Sequence, residues 1–158
     1  MKLLKFTLIL FAVLASNLMA KAQEGKYSVA LGSGVYANST PHLAGNASLL
    51  VKMDEGGNNF SFTTLEMRGS TAGQPIYSTR TGLARLVQKS KLFSLYAIGT
   101  AGVSASGDAT SGAFAGGGVL AIPVHENVQL LIGAQAMKSP VAGGLNPLMT
   151  VSFLLSGD

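Results

Sequence analysis

Hydrophobic and polar residues alternate with a period of two along most of the chain after Gln23. No stretch of that sequence keeps the apolar spacing of a helix over three turns, so helices are not expected. Clusters of Gly, Asn, Asp, Ser and Pro separate the alternating segments, as turns do. The pattern predicts eight strands, over residues 26–37, 43–53, 60–69, 77–88, 92–103, 113–123, 127–138 and 148–156.

The predicted strands are long. Most have the length of a tilted strand that crosses a bilayer, about 9 to 11 residues, whereas strands of globular proteins usually have about five or six. The turns after the second, fourth and sixth strands are short, and the other connections include the longer segments STAGQPI, SASGDATSG and SPVAGGLNP. An even strand number with short turns on one side and longer loops on the other is typical of bacterial outer-membrane barrels.

Each predicted strand in the second half of the chain has one apolar face. The residues expected on this face include Phe93, Leu95, Leu130, Ile132, Val151 and Phe153, while Tyr36, Tyr96, Gln129 and Gln135 are expected to point into a blocked lumen. From alternation alone, the apolar face either packs against a second sheet in a soluble sandwich or faces lipid in a membrane barrel. Both interpretations stay open at this point.

The first 22 residues differ in composition from the rest. Two lysines precede an apolar run, and Ala20 and Ala22 occupy the small-residue positions before Gln23. This arrangement predicts a secretory signal peptide over 1–22 and a mature domain over 23–158. The run of about ten apolar residues is shorter than the roughly 20 that a membrane-spanning helix needs.

Composition and charge restrict the function. Only 11% of the residues are charged, 47% are hydrophobic and Cys is absent. The low charged fraction and the high hydrophobic fraction exclude a disordered chain. The absence of Cys excludes a disulfide framework and thiolate chemistry. Without the three lysines of the signal segment, eight basic residues face seven acidic ones and are scattered, so a nucleic-acid partner is not expected.

Charged residues within the predicted strands are few, and the third strand presents a conflict. Simple alternation would place Phe60 and Phe62 on the same face as Glu66 and Arg68. A β-bulge near Thr63 and Thr64 would turn both Phe rings outward and Glu66 inward. We therefore expect a bulge at that position.

An Arg or Lys that faces lipid at the midplane costs about 2 to 4 kcal/mol, so strand charges should point inward or lie near an interface. We hypothesise that Glu66 pairs with Arg85 of the next strand inside the barrel, with Arg68 and Arg80 nearer the outer rim. The alternative is that Glu66 and Arg68 are solvated at the extracellular mouth. Neither arrangement predicts catalysis.

Other candidate chemistry is weak. His42 and His125 lie at predicted turns, and neither has Ser, Asp or Glu at the spacing of a triad or a metal site. The glycines at 116–118 precede a strand rather than a helix, so they do not form a phosphate loop. We expect the strand glycines to face inward and make room for larger side chains. No catalytic, cofactor-binding or metal-ligating residue is predicted.

The segment GAFAGGGVLAIPVHENVQLLIG resembles the penultimate hairpin of the small eight-stranded outer-membrane barrels, the outer-membrane protein A-like and opacity-like group. In strand count and spacing the resemblance covers the whole mature chain. It implies a barrel surrounded by outer-membrane lipid and assembled by the barrel-assembly machinery.

Together these observations predict an all-β, eight-stranded antiparallel up-and-down β-barrel of the transmembrane type, located in the outer membrane. Its expected role is structural or interactive, without a large pore, enzymatic activity or a cofactor. The alternative is a soluble exported barrel that binds a small apolar ligand, as lipocalin-like folds do. A further alternative, a lipid-modifying outer-membrane enzyme, requires a clustered polar triad that the sequence does not present.

We expect the mature protein to begin at Gln23, because Ala20 and Ala22 are the only small pair correctly placed after the apolar run. N-terminal sequencing of exported protein tests this position. Material that retains Met1 would contradict the predicted cleavage.

Overall fold

A computed structural model describes residues 27–37, 42–69, 74–140 and 144–156, which form eight antiparallel strands. The strands are β1 (Tyr27–Tyr36), β2 (His42–Lys52), β3 (Asn59–Arg68), β4 (Ile76–Lys89), β5 (Ser94–Ser106), β6 (Ala109–His125), β7 (Val128–Ser139) and β8 (Gly144–Ser156). Each strand pairs with its neighbours in chain order, and β1 also pairs with β8, which closes the sheet into a barrel. The predicted fold is confirmed.

The connections define two ends of the barrel. The turn end carries the connections at 53–58, 90–93 and 126–127 together with the first residue of β1 and the last of β8. The loop end carries the other four connections. Within the ranges that the structure describes, no helix is long and apolar enough to cross a membrane.

The largest difference from the predicted strands lies between β5 and β6. The segment SASGDATSG, expected as a loop, continues both strands until only Gly107 and Asp108 remain as the turn. Gly107 has a φ of 57°, in the left-handed region that glycine adopts without steric cost. The glycine therefore permits a tight turn where the polar composition of the segment indicated an irregular one.

A carboxylate organises the turn between β2 and β3. Asp54 Oδ1 accepts a hydrogen bond from the Asn58 backbone N–H at 2.7 Å, and Asp54 Oδ2 accepts one from Asn59 Nδ2 at 2.6 Å. These hydrogen bonds hold the pKa of Asp54 below its usual value, and the bond from the Asn58 N–H has the largest effect. The turn is thus fixed by local hydrogen bonds.

Strand alternation separates an apolar exterior from a mixed interior. In β8, Val151 is 49% exposed and Phe153 is 53% exposed. The alternate residues Ser152 and Leu154 are only 7% and 6% exposed. Ile132 on β7 is also exposed. The predicted outward direction of these apolar side chains is confirmed.

Strand β3 keeps its alternation without the expected bulge. Its pairing with β2 and β4 runs in continuous register from Phe60 to Arg68. Phe60, Phe62 and Glu66 consequently all line the interior. The prediction of a bulge near Thr63 was wrong because it assumed that aromatic rings belong outside, while the interior of this barrel accommodates them. The register instead shifts between Leu86 and Gln88 and between Pro123 and His125.

The glycines of β5 and β6 divide between the two faces. A Cβ on Gly102 would overlap the carbonyl oxygen of Thr79 and lie 2.7 Å from the Cα of Arg80, so β4 and β5 approach each other there too closely for any side chain. Gly99 and Gly116 have open space or only distant contact at the Cβ position and are exposed. The expectation that the strand glycines all face inward is therefore only partly correct.

Candidate functional site in the barrel interior

The interior is filled at the loop end. Among the described residues, the six largest fully buried side chains lie near that end: Tyr36, Ser104, Met137, Ser139, Asn146 and Leu148. Tyr36, Met137 and Leu148 belong to one cluster of buried residues that also contains Ala44, Ile76 and Ala115. We refer to these nine residues as the loop-end plug.

An ion pair lies beneath the plug, on the side toward the turn end. Arg80 Nη2 of β4 donates to Glu66 Oε2 of β3 at 2.9 Å. Both residues are buried, Glu66 to 5% exposure and Arg80 to 3%. The pair is possible because Arg80 is opposite Thr64 in the ladder, so the two charged side chains are diagonal neighbours on the inward face.

Tyr36 links the ion pair to the plug. Its hydroxyl donates to Glu66 Oε1, and its oxygen also lies 3.2 Å from Met137 Sδ. The guanidinium carbon of Arg68 lies 4.4 Å from the centroid of the Tyr36 ring, at the position of a cation–π contact. Tyr36, Glu66, Arg68 and Arg80 form the interior polar network, which ties β1, β3 and β4 together.

The network corrects the predicted ion pair. Arg85 is exposed, whereas its neighbour Ala84 is buried and lines the interior. Arg85 follows Arg80 by five positions, an odd offset, so alternation allows only one of them to point inward. Glu66 therefore pairs with Arg80, not with Arg85. Arg68 and Arg80 are buried rather than placed at an outer rim. Arg68 follows Glu66 by two positions on β3, and this shared parity was the signal that could have identified it as inward.

A cavity of about 380 Å³ occupies the interior between the ion pair and the turn end. Glu66 and Arg80 lie at its inner end, and Lys52, Glu126 and Asn127 lie at its outer end. The wall between the two ends includes the apolar side chains of Leu50, Phe60, Phe62, Ile98, Val119, Leu131 and Leu154. Polar side chains, among them Asn46, Ser48, Thr100, Gln129 and Gln135, line the same wall, so apolar and polar groups are mixed along the cavity.

Tyr96 and Phe60 stand at the outer part of this cavity. Their rings meet edge to face, with centroids 5.7 Å apart and planes at 77°. The Tyr96 hydroxyl donates to the carbonyl oxygen of Gly57 at 3.5 Å. This contact joins the cavity wall to the β2–β3 turn.

The other residues considered from the sequence are dispersed. His42 begins β2 at the loop end, and His125 is exposed at the turn end of β6. Across the ranges that the structure covers, no group of three or more His, Asp or Glu side chains could hold a metal ion. The predicted cleavage site between Ala22 and Gln23 lies outside the described residues.

Known proteins share the architecture but little sequence. No protein-family model and no curated protein matches the chain. The crystal structure of Neisserial surface protein A (NspA) superposes with a TM-score of 0.68 at 10% identity, covering 84% of this chain and 97% of that one. Ail, the attachment invasion locus protein of Yersinia pestis, superposes with a TM-score of 0.55 at 14% identity, covering 84% of this chain and 97% of that one. A de novo designed transmembrane β-barrel superposes with a TM-score of 0.52 at 13% identity, covering 83% of this chain and 94% of the designed one.

These likenesses establish the fold. The chain has the architecture of the small eight-stranded outer-membrane barrels, as the resemblance of its β6–β7 hairpin implied. The apolar exterior is the surface that a barrel of this type presents to lipid.

Replacing Arg80 with Met should lower the free energy of unfolding by about 3 to 5 kcal/mol, because it leaves the buried Glu66 carboxylate without its cation. Arg85→Met serves as the control, since Arg85 is exposed near the turn end, and should change the same quantity by less than about 1 kcal/mol. Urea unfolding of both variants in lipid vesicles measures the two losses. Equal losses would contradict the assignment of Arg80 as the partner of Glu66.

Proposed function

We propose that this chain is an outer-membrane β-barrel with a closed lumen, which serves a structural or interaction role in the cell envelope rather than conduction or catalysis. The loop-end plug is the observation that carries this proposal. Side chains from β1, β2, β4, β5, β6, β7 and β8 meet there, and Tyr36, Met137 and Leu148 are at most 1% exposed. A lumen filled in this way leaves no continuous aqueous path.

The outer surface supports the membrane location over a soluble, lipocalin-like barrel. Leu31, Met149 and Phe153 are each at least half exposed, which would be a costly apolar surface in water. The charged residues described on that surface lie toward the strand ends, Arg85 near the turn end and Lys138 near the loop end. The band between them suits outer-membrane lipid as the surrounding partner.

The proposed interactions follow from the same surface and from the neighbours. NspA is named a surface protein and Ail an attachment and invasion protein, so an envelope role at the cell surface is consistent with this fold. The barrel-assembly machinery is the partner proposed during insertion, as for barrels that this chain resembles. The alternating apolar residues Val151, Phe153 and Leu155 of the last strand are compatible with that route.

The loop end favours packing over catalysis. Hydroxyl groups there pair with one another, Ser78 with Ser104 at 2.7 Å and Ser111 with Ser139 at 3.2 Å. Ser104 and Ser139 are fully buried, so a substrate cannot reach them without displacing the plug. A lipid-modifying activity would instead need an accessible nucleophile beside a base.

In a planar lipid bilayer the refolded barrel should show no stable large single-channel currents, because the plug fills the lumen. The experiment records current across the bilayer after insertion has been verified by the heat-dependent gel mobility of the same preparation. Regular large unitary currents from inserted protein would contradict the closed lumen. A preparation of a known porin provides the positive control.

A further inference from the structure

The outer face of β3 and β4 carries hydroxyl groups where a lipid-facing wall usually carries apolar side chains. Alternate residues of the two strands, such as Thr64 and Arg80, line the interior, so their neighbours point outward. Four of these outward neighbours are serine or threonine: Ser61, Thr63, Thr79 and Thr81. We refer to these four residues as the hydroxyl face.

The hydroxyl face lies in the middle of the wall rather than at its border. Thr63 is the fifth of the ten residues of β3, and it is opposite Thr81 near the middle of β4. The Oγ1 atoms of these two threonines lie 3.1 Å apart and share one hydrogen bond at the surface. That bond uses one of their two O–H donors. A donor therefore remains available to a neighbouring molecule at mid-depth.

Lipid tails do not satisfy such groups. Hydrocarbon offers no hydrogen-bond partner, so a hydroxyl group that faces it loses the bonds that water would make. The wall formed by β7, β8 and β1 has the composition that lipid favours, since Ile132, Phe153 and Leu31 are exposed near the middle of their strands. The contrast indicates that the hydroxyl face suits a protein surface better than lipid tails.

The wall beside the hydroxyl face is low. On β5, Ala101 is opposite Thr81 and Gly99 is opposite Leu83. A Cβ on Gly99 would meet open space, so no side chain of β5 projects far at this level. Small residues and hydroxyl groups together allow close contact between protein surfaces within a membrane. A second wall can therefore approach β4 without obstruction from β5.

A second copy of the chain supplies groups that match this face. Copies inserted in the same direction can be related by a twofold axis along the membrane normal, which brings each residue opposite its own depth. A hydroxyl group both donates and accepts, so the hydroxyl face is complementary to itself. None of its four residues is charged, so two copies meet there without repulsion.

We propose that two copies of this barrel associate in the membrane through their hydroxyl faces, with Thr63 and Thr81 of one copy beside those of the other. The low wall of β5 forms the edge of the contact. The proposal goes beyond the closed-lumen role, because it gives the outer surface a protein partner. It rests on insertion of the barrel into lipid and is independent of the loop-end plug.

Energy transfer between donor-labelled and acceptor-labelled copies in phosphatidylcholine vesicles measures this association. The chain has no Cys, so Lys91→Cys in the exposed β4–β5 turn can carry either dye. Transfer above the level of random proximity is expected, and it should fall as the lipid-to-protein ratio rises. Heat-dependent gel mobility first verifies insertion of each sample. Inserted protein with only random transfer would overturn the proposed dimer and leave the membrane location intact.

Removal of the hydroxyl groups tests the face itself. Thr63→Val combined with Thr81→Val preserves side-chain shape and strand propensity, so the barrel should still fold. The lipid-to-protein ratio at which half of the dimers dissociate should fall about tenfold. Ser33→Ala, which removes an exposed hydroxyl group from β1, should leave that ratio unchanged. Equal ratios for the double variant and the Ser33→Ala variant would refute the role of the hydroxyl face.

A steric variant provides a second test of the same surface. Thr81→Phe holds the two walls apart and should reduce energy transfer to the random level. Ala134→Phe places the same ring on the exposed outer face of β7 and should preserve the transfer of the parent chain. Equal transfer in the two Phe variants would contradict association through β3 and β4.

Discussion

Closure of the sheet is the constraint on which the rest of this structure depends. A bilayer offers no partners for backbone N–H and C=O groups, so a β-sheet can cross it only when every strand has two neighbours. Here β1 satisfies both edges by pairing with β2 and β8, as at Val29, which is opposite Leu49 on one side and Leu155 on the other. Once the sheet is closed, strand alternation divides all side chains between lipid and a narrow lumen.

That division explains the contents of the lumen. Eight strands enclose a space just wide enough for side chains, so large residues at one level require small ones nearby. At Gly102, β5 approaches the backbone of Thr79 and Arg80 closely. This close approach is next to the position where the Arg80 and Glu66 side chains meet. The loop-end plug and the interior polar network fill one half of the lumen, and the half toward the turn end keeps a cavity lined by apolar and polar side chains.

The sequence predicted the fold well because strand number, length and alternation are local properties. It predicted the interior less well because interior contacts depend on register between strands. The identity of the ion pair shows the difference: Arg80 and Arg85 are both on β4, and only the pairing of Thr64 with Arg80 places one of them beside Glu66. Phe60 and Phe62 were expected outside, since nothing local reveals that the lumen has room for aromatic rings toward the turn end. The turn at Gly107 was missed because its polar flanks look like a loop.

The most direct test of the account compares an Arg substitution at two depths on the outer face of β7. Ile132 lies near the middle of the strand and Val128 begins it. If this face contacts lipid, Ile132→Arg should reduce the free energy of unfolding in lipid vesicles by about 2 to 4 kcal/mol, and Val128→Arg by about 0 to 1 kcal/mol. Equal losses at the two positions, or a wild-type protein that remains folded in water without lipid or detergent, would contradict a lipid-facing barrel.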